Sequence, residues 1–162
     1  MNYAAKVVTL SFLSILLAGA VFAQSDPVVG EWKNGSVGSV QYKDRVTGST
    51  TPGRGSVFTY RFLSNGNYEF TGYMQSTMYN CTTTLFNQIT GRYTVVGSEI
   101  QLSPSRDLWK STNSCAKGGN RQQTKVPVKK SLDFEIRTDE YGAELLCLSE
   151  NGSETCFRKA VD

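Results

Sequence analysis

Apolar and polar residues alternate through most of this chain, and the alternation is clearest in an aromatic stretch in its first half. Ring-bearing residues take every second position on either side of a polar segment: Phe58, Tyr60, Phe62, Tyr68 and Phe70. A period of two places alternate side chains on the same face of a β-strand. The pattern therefore predicts two neighbouring strands that each carry one aromatic face.

The segment between these strands, residues 64–67, reads Ser-Asn-Gly-Asn, and Asn-Gly is a strong signal for a β-hairpin turn. A two-residue Asn-Gly loop would put the two aromatic rows on opposite faces of the hairpin. A three-residue loop, residues 64–66, sets Phe62 opposite Tyr68 and puts both rows on one face. A shift of one residue in register moves every side chain to the other face. We therefore predict the three-residue loop, with Gly66 in the left-handed conformation.

A second hairpin is predicted around Gly97-Ser98, because glycine at the first loop position is typical of a type II′ turn. This loop sets Val95 opposite Ile100, and both apolar rows then fall on one face without any further adjustment. The two hairpins together predict a sheet with one apolar face.

The four cysteines are expected to form two disulfides, because paired cysteines are typical of exported chains. An Asn-Gly turn at residues 151–152 sets Cys147 opposite Cys156 in a non-hydrogen-bonded pair. The Cα atoms of such a pair lie about 4.5 Å apart, which is within the range that a disulfide spans. Cys81 is then left to pair with Cys115.

The remaining segments are predicted from composition. Residues 44–55 are rich in Gly and Thr, have little to bury, and are expected to be a loop. Residues 79–86 are expected to be a Thr-rich strand. Residues 104–128 are expected to be irregular and to include a short helix.

The whole pattern predicts about eight or nine antiparallel strands with mostly hairpin connections, and no amphipathic helix of useful length. We therefore predict an all-β fold: a single antiparallel up-and-down β-barrel of about eight strands, with two disulfides. Closure into a barrel removes the edge strands that an open sheet would expose. A sandwich of two sheets is the alternative.

The first residues are predicted to be a signal peptide. Lys6 is the only charged residue before an apolar run, residues 7–22, which ends in a small-x-Ala pattern at Ala23. The alternative is a membrane anchor, but the run is shorter than the roughly 20 residues that span a bilayer. Cleavage after Ala23 leaves one domain, residues 24–162, in a secreted or periplasmic protein.

Charge and composition exclude several classes of function. The formal net charge is +3 at pH 7, which is too small to indicate nucleic-acid binding. The chain has no histidine, which removes the usual general base and most zinc sites. The sequence shows no glycine-rich phosphate loop and no metal-ligand spacing. We therefore expect a protein that is not an enzyme and that has no cofactor and no metal ion.

The sequence G-E-W at the head of the first predicted strand resembles the G-x-W motif of lipocalins and the wider family of calycin barrels. In that family the tryptophan closes one end of the barrel, and a basic residue on the last strand packs across it. The resemblance implies that Trp32 closes this barrel and that Arg158 is its basic partner, with Lys159 as the alternative.

The hairpins at residues 60–72 and 91–102 are similar to those of small exported bacterial lipocalin-like proteins. An eight-stranded barrel either holds one small ligand or is filled by its own side chains, and a buried tyrosine hydroxyl needs a partner that a ligand can provide. We therefore predict that a small hydrophobic or aromatic ligand binds in the barrel, although the same rings would also fill it. The predicted lining residues are Trp32, Phe58, Tyr60, Phe62, Tyr68, Phe70 and Tyr93.

The competing hypothesis is a protein-interaction module, such as an inhibitor of a host or competitor hydrolase. The long segments 44–55 and 104–128 would then carry the function and the barrel would be a scaffold. A basic segment with no acidic residue could contact an acidic partner, or it could simply be a solvated loop. Its cations are Lys117, Arg121, Lys125, Lys129 and Lys130.

Overall fold

A computed structural model describes residues 26–38, 40–43, 45–48 and 50–161. The predicted signal peptide and its cleavage site after Ala23 lie outside these residues. The described part contains eleven strands and one short 3-10 helix, Lys117–Gly119. The strands are β1 (Gly30–Val37), β2 (Val40–Lys43), β3 (Thr50–Pro52), β4 (Gly55–Phe62), β5 (Asn67–Met78), β6 (Cys81–Val96), β7 (Glu99–Asn113), β8 (Arg121–Lys125), β9 (Lys130–Thr138), β10 (Glu144–Glu150) and β11 (Ser153–Lys159).

Eight of these strands form a closed antiparallel barrel, in the order β1-β4-β5-β6-β7-β9-β10-β11. The barrel closes where β11 returns to β1, with Lys159 opposite Trp32. Strand β8 continues the wall beside the second half of β7, and β2 and β3 form a separate two-stranded sheet. The predicted all-β barrel is therefore confirmed, and the two-sheet sandwich is wrong.

The aromatic hairpin has the predicted register. Phe62 lies opposite Tyr68, and the amide of Leu63 donates a hydrogen bond of 2.9 Å to the carbonyl of Asn67. This bond encloses a three-residue loop, in which Gly66 has a φ of +78°. Only glycine adopts such an angle freely, so the Asn-Gly pair fixes the register, and with it the face on which all five rings lie.

The other two predicted turns also set their registers. Val95 lies opposite Ile100, and Gly97 has a φ of +62°. Cys147 lies opposite Cys156, with a left-handed Asn-Gly pair between the strands. In each case the turn geometry determines which residues face each other across the hairpin.

Both predicted disulfides are confirmed. Cys81 at the start of β6 is bonded to Cys115, with a Cα–Cα distance of 5.3 Å, and Cys147 is bonded to Cys156, with a Cα–Cα distance of 3.9 Å. Disulfides are typical of oxidising, extracellular-type environments. The described ranges hold no helix with the length and apolar character needed to cross a bilayer.

The prediction of an irregular segment over residues 104–128 is wrong for most of its length, although the short helix expected there is present as Lys117–Gly119. Strand β7 continues for 15 residues to Asn113, and β6, also unbroken, runs for 16 residues beside it. Pro104 lies at a register shift opposite Gly91. Ser105 is the extra, unpaired residue of this β-bulge, and bulges are among the places in a sheet where proline is tolerated. The predicted Thr-rich strand at residues 79–86 is confirmed from Cys81 onward; residues 79–80 form a turn, and the strand continues as β6 to Val96.

The predicted loop at residues 44–55 is also partly structured. It contains β3, which pairs with β2 through Lys43 and Thr50, and the start of β4. Strand β1 ends at Val37, and β2 begins at Val40. This pair of short strands lies outside the barrel ladder.

The most deeply buried side chains lie at one end of the barrel. Val28, Trp32, Ile100 and Leu146 are fully buried, and Phe62 is 1% exposed. The indole nitrogen of Trp32 donates a hydrogen bond of 2.7 Å to the carbonyl of Val28, so its polar atom is satisfied inside this core. This end of the barrel is therefore filled by side chains.

Candidate ligand-binding site at the open end of the barrel

The seven predicted lining rings fall into two groups. Those of Trp32, Phe62, Tyr68 and Tyr93 are buried and belong to the core cluster. Those of Phe58, Tyr60 and Phe70 are only half-buried, although they pack against the same cluster. The first group therefore fills the closed end, and the second group lines the open end, with Tyr68 at the boundary.

The basic partner of Trp32 is Lys159, the alternative named above, and not Arg158. Lys159 lies opposite Trp32, with its ammonium 5.3 Å from the centre of the indole ring. Arg158 lies opposite Lys33 and forms an ion pair with Asp139. Side chains alternate along a strand, so Arg158 points away from the barrel interior, and its assignment as the barrel-closing residue is wrong.

The open end contains a cavity of about 340 Å³. Seven of its lining residues carry aromatic rings or polar groups: Tyr60, Tyr68, Phe70, Asn87, Asp107, Trp109 and Lys130. Ligand sites typically have volumes of about 300–1,000 Å³ and combine apolar walls with a few polar groups. The size and the composition of this cavity both suit a small ligand.

Two further cavities adjoin this one. A cavity of about 350 Å³ is lined by Phe58, Tyr60 and Phe70 on one side and by the β10–β11 hairpin on the other. A smaller one of about 170 Å³ lies between Phe58, Phe70 and Trp109. The three cavities share these lining rings, and we call the region that they form together the mouth.

The mouth is open because the strands around it differ in length. Strands β6 and β7 have 16 and 15 residues, whereas β10 and β11 have 7 residues each. Strand β9 pairs with the beginning of β7, from Glu99 to Leu102, and β8 pairs with its later part. Among the described strands none pairs with the far edge of β8, so the wall is incomplete there.

Contacts between the rings hold the floor of the mouth in place. The rings of Tyr60 and Phe70 have centroids 4.8 Å apart, and Phe157 packs edge-on against Tyr60 at 5.2 Å. Phe58 is stacked at 6.4 Å from Phe70. Aromatic pairs at these separations stabilise one another, so these rings present a preformed apolar surface.

The two tyrosines of the mouth are neutral. Burial raises the pKa of Tyr68 to about 12, and the negative charge of Asp107 adds to the effect. Burial also raises the pKa of Tyr60, and Tyr68 and Glu150 raise it further. Both phenol groups therefore keep their protons at neutral pH and remain available as hydrogen-bond donors.

A short polar network crosses the wall of the mouth. The buried side-chain amide of Asn87 donates a hydrogen bond of 2.7 Å to Oδ1 of Asp107 and another of 3.2 Å to the carbonyl of Leu108. Lys130 also lines the cavity, and its ammonium binds both carboxylate oxygens of Glu150 at 3.1 and 3.0 Å. These are the groups that could orient a ligand.

Trp109 carries an unsatisfied donor. Its indole nitrogen is buried and has no hydrogen-bond partner. The ammonium of Lys125 lies 3.7 Å from the centre of the Trp109 ring, which is a cation–π contact. A buried donor without an acceptor costs free energy, so this N–H is a polar group of the mouth that the surrounding protein leaves unsatisfied.

Sequence reasoning missed Asn87, Asp107 and Trp109. Asp107 and Trp109 lie in the segment that was predicted to be irregular. The alternation of Leu85, Asn87 and Ile89 along β6 was the available signal, since it places Asn87 on the inner face of the barrel. In β7 the extra residue at the bulge beside Pro104 interrupts the same alternation, so the sequence alone does not show it.

The cations of the predicted basic segment lie in different environments. Lys125 contacts Trp109 and Lys130 binds Glu150, whereas Arg121 and Lys129 are exposed and form none of the ion pairs between described residues. The side chain of Lys117 lies outside the described part. These cations therefore do not converge on one site.

Comparison with protein-family models finds no match, and comparison with curated proteins finds no similar sequence. The one group of potential metal ligands among the described residues is Cys147, Glu154 and Cys156, and both of its sulfurs are held in a disulfide.

Proposed function

We propose that this protein is a non-enzymatic, lipocalin-like β-barrel that binds one small hydrophobic or aromatic molecule in its mouth. The observation that carries the proposal is the contrast between the two ends of the barrel. One end is filled and closed over Trp32, whereas the other presents half-buried rings around cavities of about 340 and 350 Å³. A barrel that served only as a scaffold would not require one filled end and one open end.

The free energy of binding would come mainly from apolar burial. Removing apolar surface from water contributes about 25 cal/mol per Å², and the rings of Tyr60 and Phe70 are already held in position by their neighbours. A preformed site loses little side-chain entropy when a ligand binds. The unsatisfied N–H of Trp109 and the phenol groups would then orient the ligand.

We also propose that the protein is exported. The apolar run at residues 7–22 and the Ala23 cleavage pattern support a signal peptide. The two disulfides support an oxidising compartment. The resemblance to exported bacterial lipocalin-like proteins supports a secreted or periplasmic location in a bacterium.

The ligand proposal is tested with a neutral fluorescent probe, N-phenyl-1-naphthylamine, whose emission rises in apolar sites. Tyr60→Ala removes a ring from the mouth, and Tyr73→Ala removes the same group from the outer face of β5. We expect saturable binding that Tyr60→Ala weakens and Tyr73→Ala leaves unchanged, with both variants shown to be folded by circular dichroism. Equal loss in both variants, or no saturable binding in the unmodified protein, would overturn the proposal.

The second candidate function is binding of an acidic protein segment at β8. All five residues of β8 are exposed, and Arg121 has no carboxylate partner among the described residues. An exposed strand edge can pair with a strand from another protein, and the cations favour an acidic one. A decamer of glutamate should then bind, and the double substitution Arg121→Glu with Lys125→Glu should abolish its binding.

A further inference from the structure

We propose that the mouth selects organic cations: Asp107 binds the ammonium group of the ligand, and the apolar part of the ligand lies over the rings of Tyr60, Phe70 and Trp109. This inference rests on the proposed ligand-binding function and narrows it to one chemical class. The observation that carries it is an uncompensated carboxylate in an aromatic cavity.

Asp107 is the unpaired charge of this cavity. It lines the mouth and is partly buried there. Its Oδ1 accepts one hydrogen bond, from Asn87, and it takes part in none of the five ion pairs between described residues. A partly buried carboxylate without a cation is unfavourable, and a ligand ammonium would supply the missing charge.

The nearest cations of the protein are engaged elsewhere. Lys130 has both carboxylate oxygens of Glu150 as partners. Lys125 lies directly opposite Asp107 in the β7–β8 ladder. Its ammonium nevertheless lies over the ring of Trp109, 3.7 Å from the ring centre, and it forms no ion pair with Asp107.

The contact between Lys125 and Trp109 also shows that an aromatic ring of the mouth attracts a cation. The face of an aromatic ring carries partial negative charge and attracts cations. The mouth combines several such rings with two neutral phenols and the carboxylate of Asp107. Burial raises the pKa of Tyr68, and the negative charge of Asp107 raises it further, so this carboxylate acts on the floor of the mouth. An anionic ligand would be repelled by the same groups.

The size of the mouth sets the size of the ligand. A cavity of about 340 Å³ accommodates one fused-ring group with a short alkyl-ammonium chain. We therefore choose three probes of similar shape and different charge: tryptamine (cationic), 3-methylindole (neutral) and indole-3-propionate (anionic).

Isothermal titration calorimetry with the three probes tests the inference. We expect tryptamine to bind about tenfold more tightly than 3-methylindole, because an ammonium–carboxylate contact adds to the aromatic contacts. Indole-3-propionate should bind most weakly. Asp107→Asn should reduce the affinity for tryptamine to that for 3-methylindole, and it should leave the affinity for 3-methylindole unchanged.

Two further variants separate charge from structural damage. Asp133→Asn makes the same change of charge on the outer face of β9 and should leave all three affinities unchanged. Lys125→Gln removes the protein cation nearest to Asp107 in the ladder, and it should strengthen the binding of tryptamine. A gain of affinity cannot result from partial unfolding, so this variant tests the inference even if Asp107→Asn fails to fold.

The possible outcomes distinguish the two proposals. Equal binding of the three probes, or tighter binding of indole-3-propionate, would overturn the cation preference and leave the proposed ligand binding intact. Binding of none of the probes in the mouth would overturn both. Preference for tryptamine that survives Asp107→Asn would show that Asp107 is not the group that recognises the cation.

Discussion

The ammonium of Lys159 lies 5.3 Å from the centre of the Trp32 ring, and the two residues face each other across the strands that close the barrel. The indole is fully buried, and its N–H is satisfied by the carbonyl of Val28. The last strand of the barrel thus covers the tryptophan of the first strand. This contact closes one end of the barrel and leaves the mouth as its only open end among the described residues.

The first prediction concerns this closed end. Lys159→Met keeps most of the side-chain stem but removes the cation, and we expect it to lower the free energy of unfolding by about 0.5–1 kcal/mol. Arg158→Met is the matched control on the outer face. We expect it to leave the fluorescence of Trp32 unchanged, whereas Lys159→Met should shift that fluorescence. Urea unfolding followed by tryptophan emission measures both the free energy of unfolding and the emission of the folded protein. A shift of Trp32 emission in Arg158→Met, with none in Lys159→Met, would contradict the assignment of Lys159 as the partner of Trp32.

The second prediction concerns alkaline pH. Folding raises the pKa of Tyr68 from 10.0 to about 12, so the folded state resists losing this proton while the unfolded chain does not. The contribution of Tyr68 to stability is therefore complete below pH 10 and is lost as the pH rises towards 12. The raised pKa of Tyr60 acts in the same direction.

Chemical unfolding at a series of alkaline pH values checks this dependence. The protein should lose stability above pH 10, and Tyr68→Phe should lose less because the variant has one titrating phenol fewer. Absorbance at an ultraviolet wavelength specific for phenolate should show some of the 8 tyrosines ionising only with unfolding. Ionisation of all of them near their ordinary pKa, in the folded protein, would contradict the buried positions of Tyr60 and Tyr68.

The third prediction separates the two disulfides. Cys81–Cys115 spans 34 residues and Cys147–Cys156 spans 9, so chain-entropy estimates give at most about 4 and 3 kcal/mol of stabilisation. The first disulfide ties the start of β6 to the segment just after β7, the strand that carries Trp109. The second lies on the outer face of the β10–β11 hairpin.

Paired alanine substitutions of each disulfide should therefore differ in function as well as in stability. Replacing Cys81 and Cys115 should weaken binding of N-phenyl-1-naphthylamine, because the wall that holds Trp109 loses its anchor. Replacing Cys147 and Cys156 should lower the thermal midpoint and leave probe binding unchanged. Equal effects of both variants on binding would contradict this division of roles.

The fourth prediction concerns the bulge at Pro104. A Cβ atom on Gly91 would lie 2.4 Å from the carbonyl oxygen of Ser103. Gly91→Ala should therefore lower the free energy of unfolding by about 1–3 kcal/mol, as overpacking does elsewhere. Gly118→Ala is the matched control, since nothing lies within 4 Å of its added Cβ. A negligible effect of Gly91→Ala in thermal unfolding would show that β6 and β7 do not approach each other so closely at the bulge.

The hairpin registers could be predicted because they depend on local geometry. An Asn-Gly or Gly-Ser pair fixes the backbone angles of its turn, and the turn then decides which residues face each other. The registers around Gly66, Gly97 and Gly152 follow from the sequence in this way. The register of β5 against β6 could not be predicted from its turn. The turn after Met78 is made by Tyr79 and Asn80, and tyrosine rarely adopts a positive φ.

The candidate site could not be predicted because it depends on where strands end relative to one another. Each ring of the aromatic hairpin faces inward, but whether it fills the barrel or lines the mouth depends on the length of β10 and β11 on the opposite wall. Asp107 lies inside for a similar reason. The bulge at Pro104 shifts the alternation of β7 by one residue, and only the pairing with β6 shows this.

The most direct test of ligand binding in the mouth uses the 2 tryptophans of the chain as internal reporters. Trp109 lines the mouth, and Trp32 is buried at the closed end with its indole N–H bonded to Val28. A two-dimensional ¹⁵N–¹H NMR titration with 3-methylindole follows both indole signals in one sample. We predict a saturable shift of the Trp109 signal while the Trp32 signal stays in place; a Trp109 signal that does not move, or a shift of Trp32 alone, would contradict a ligand site in the mouth.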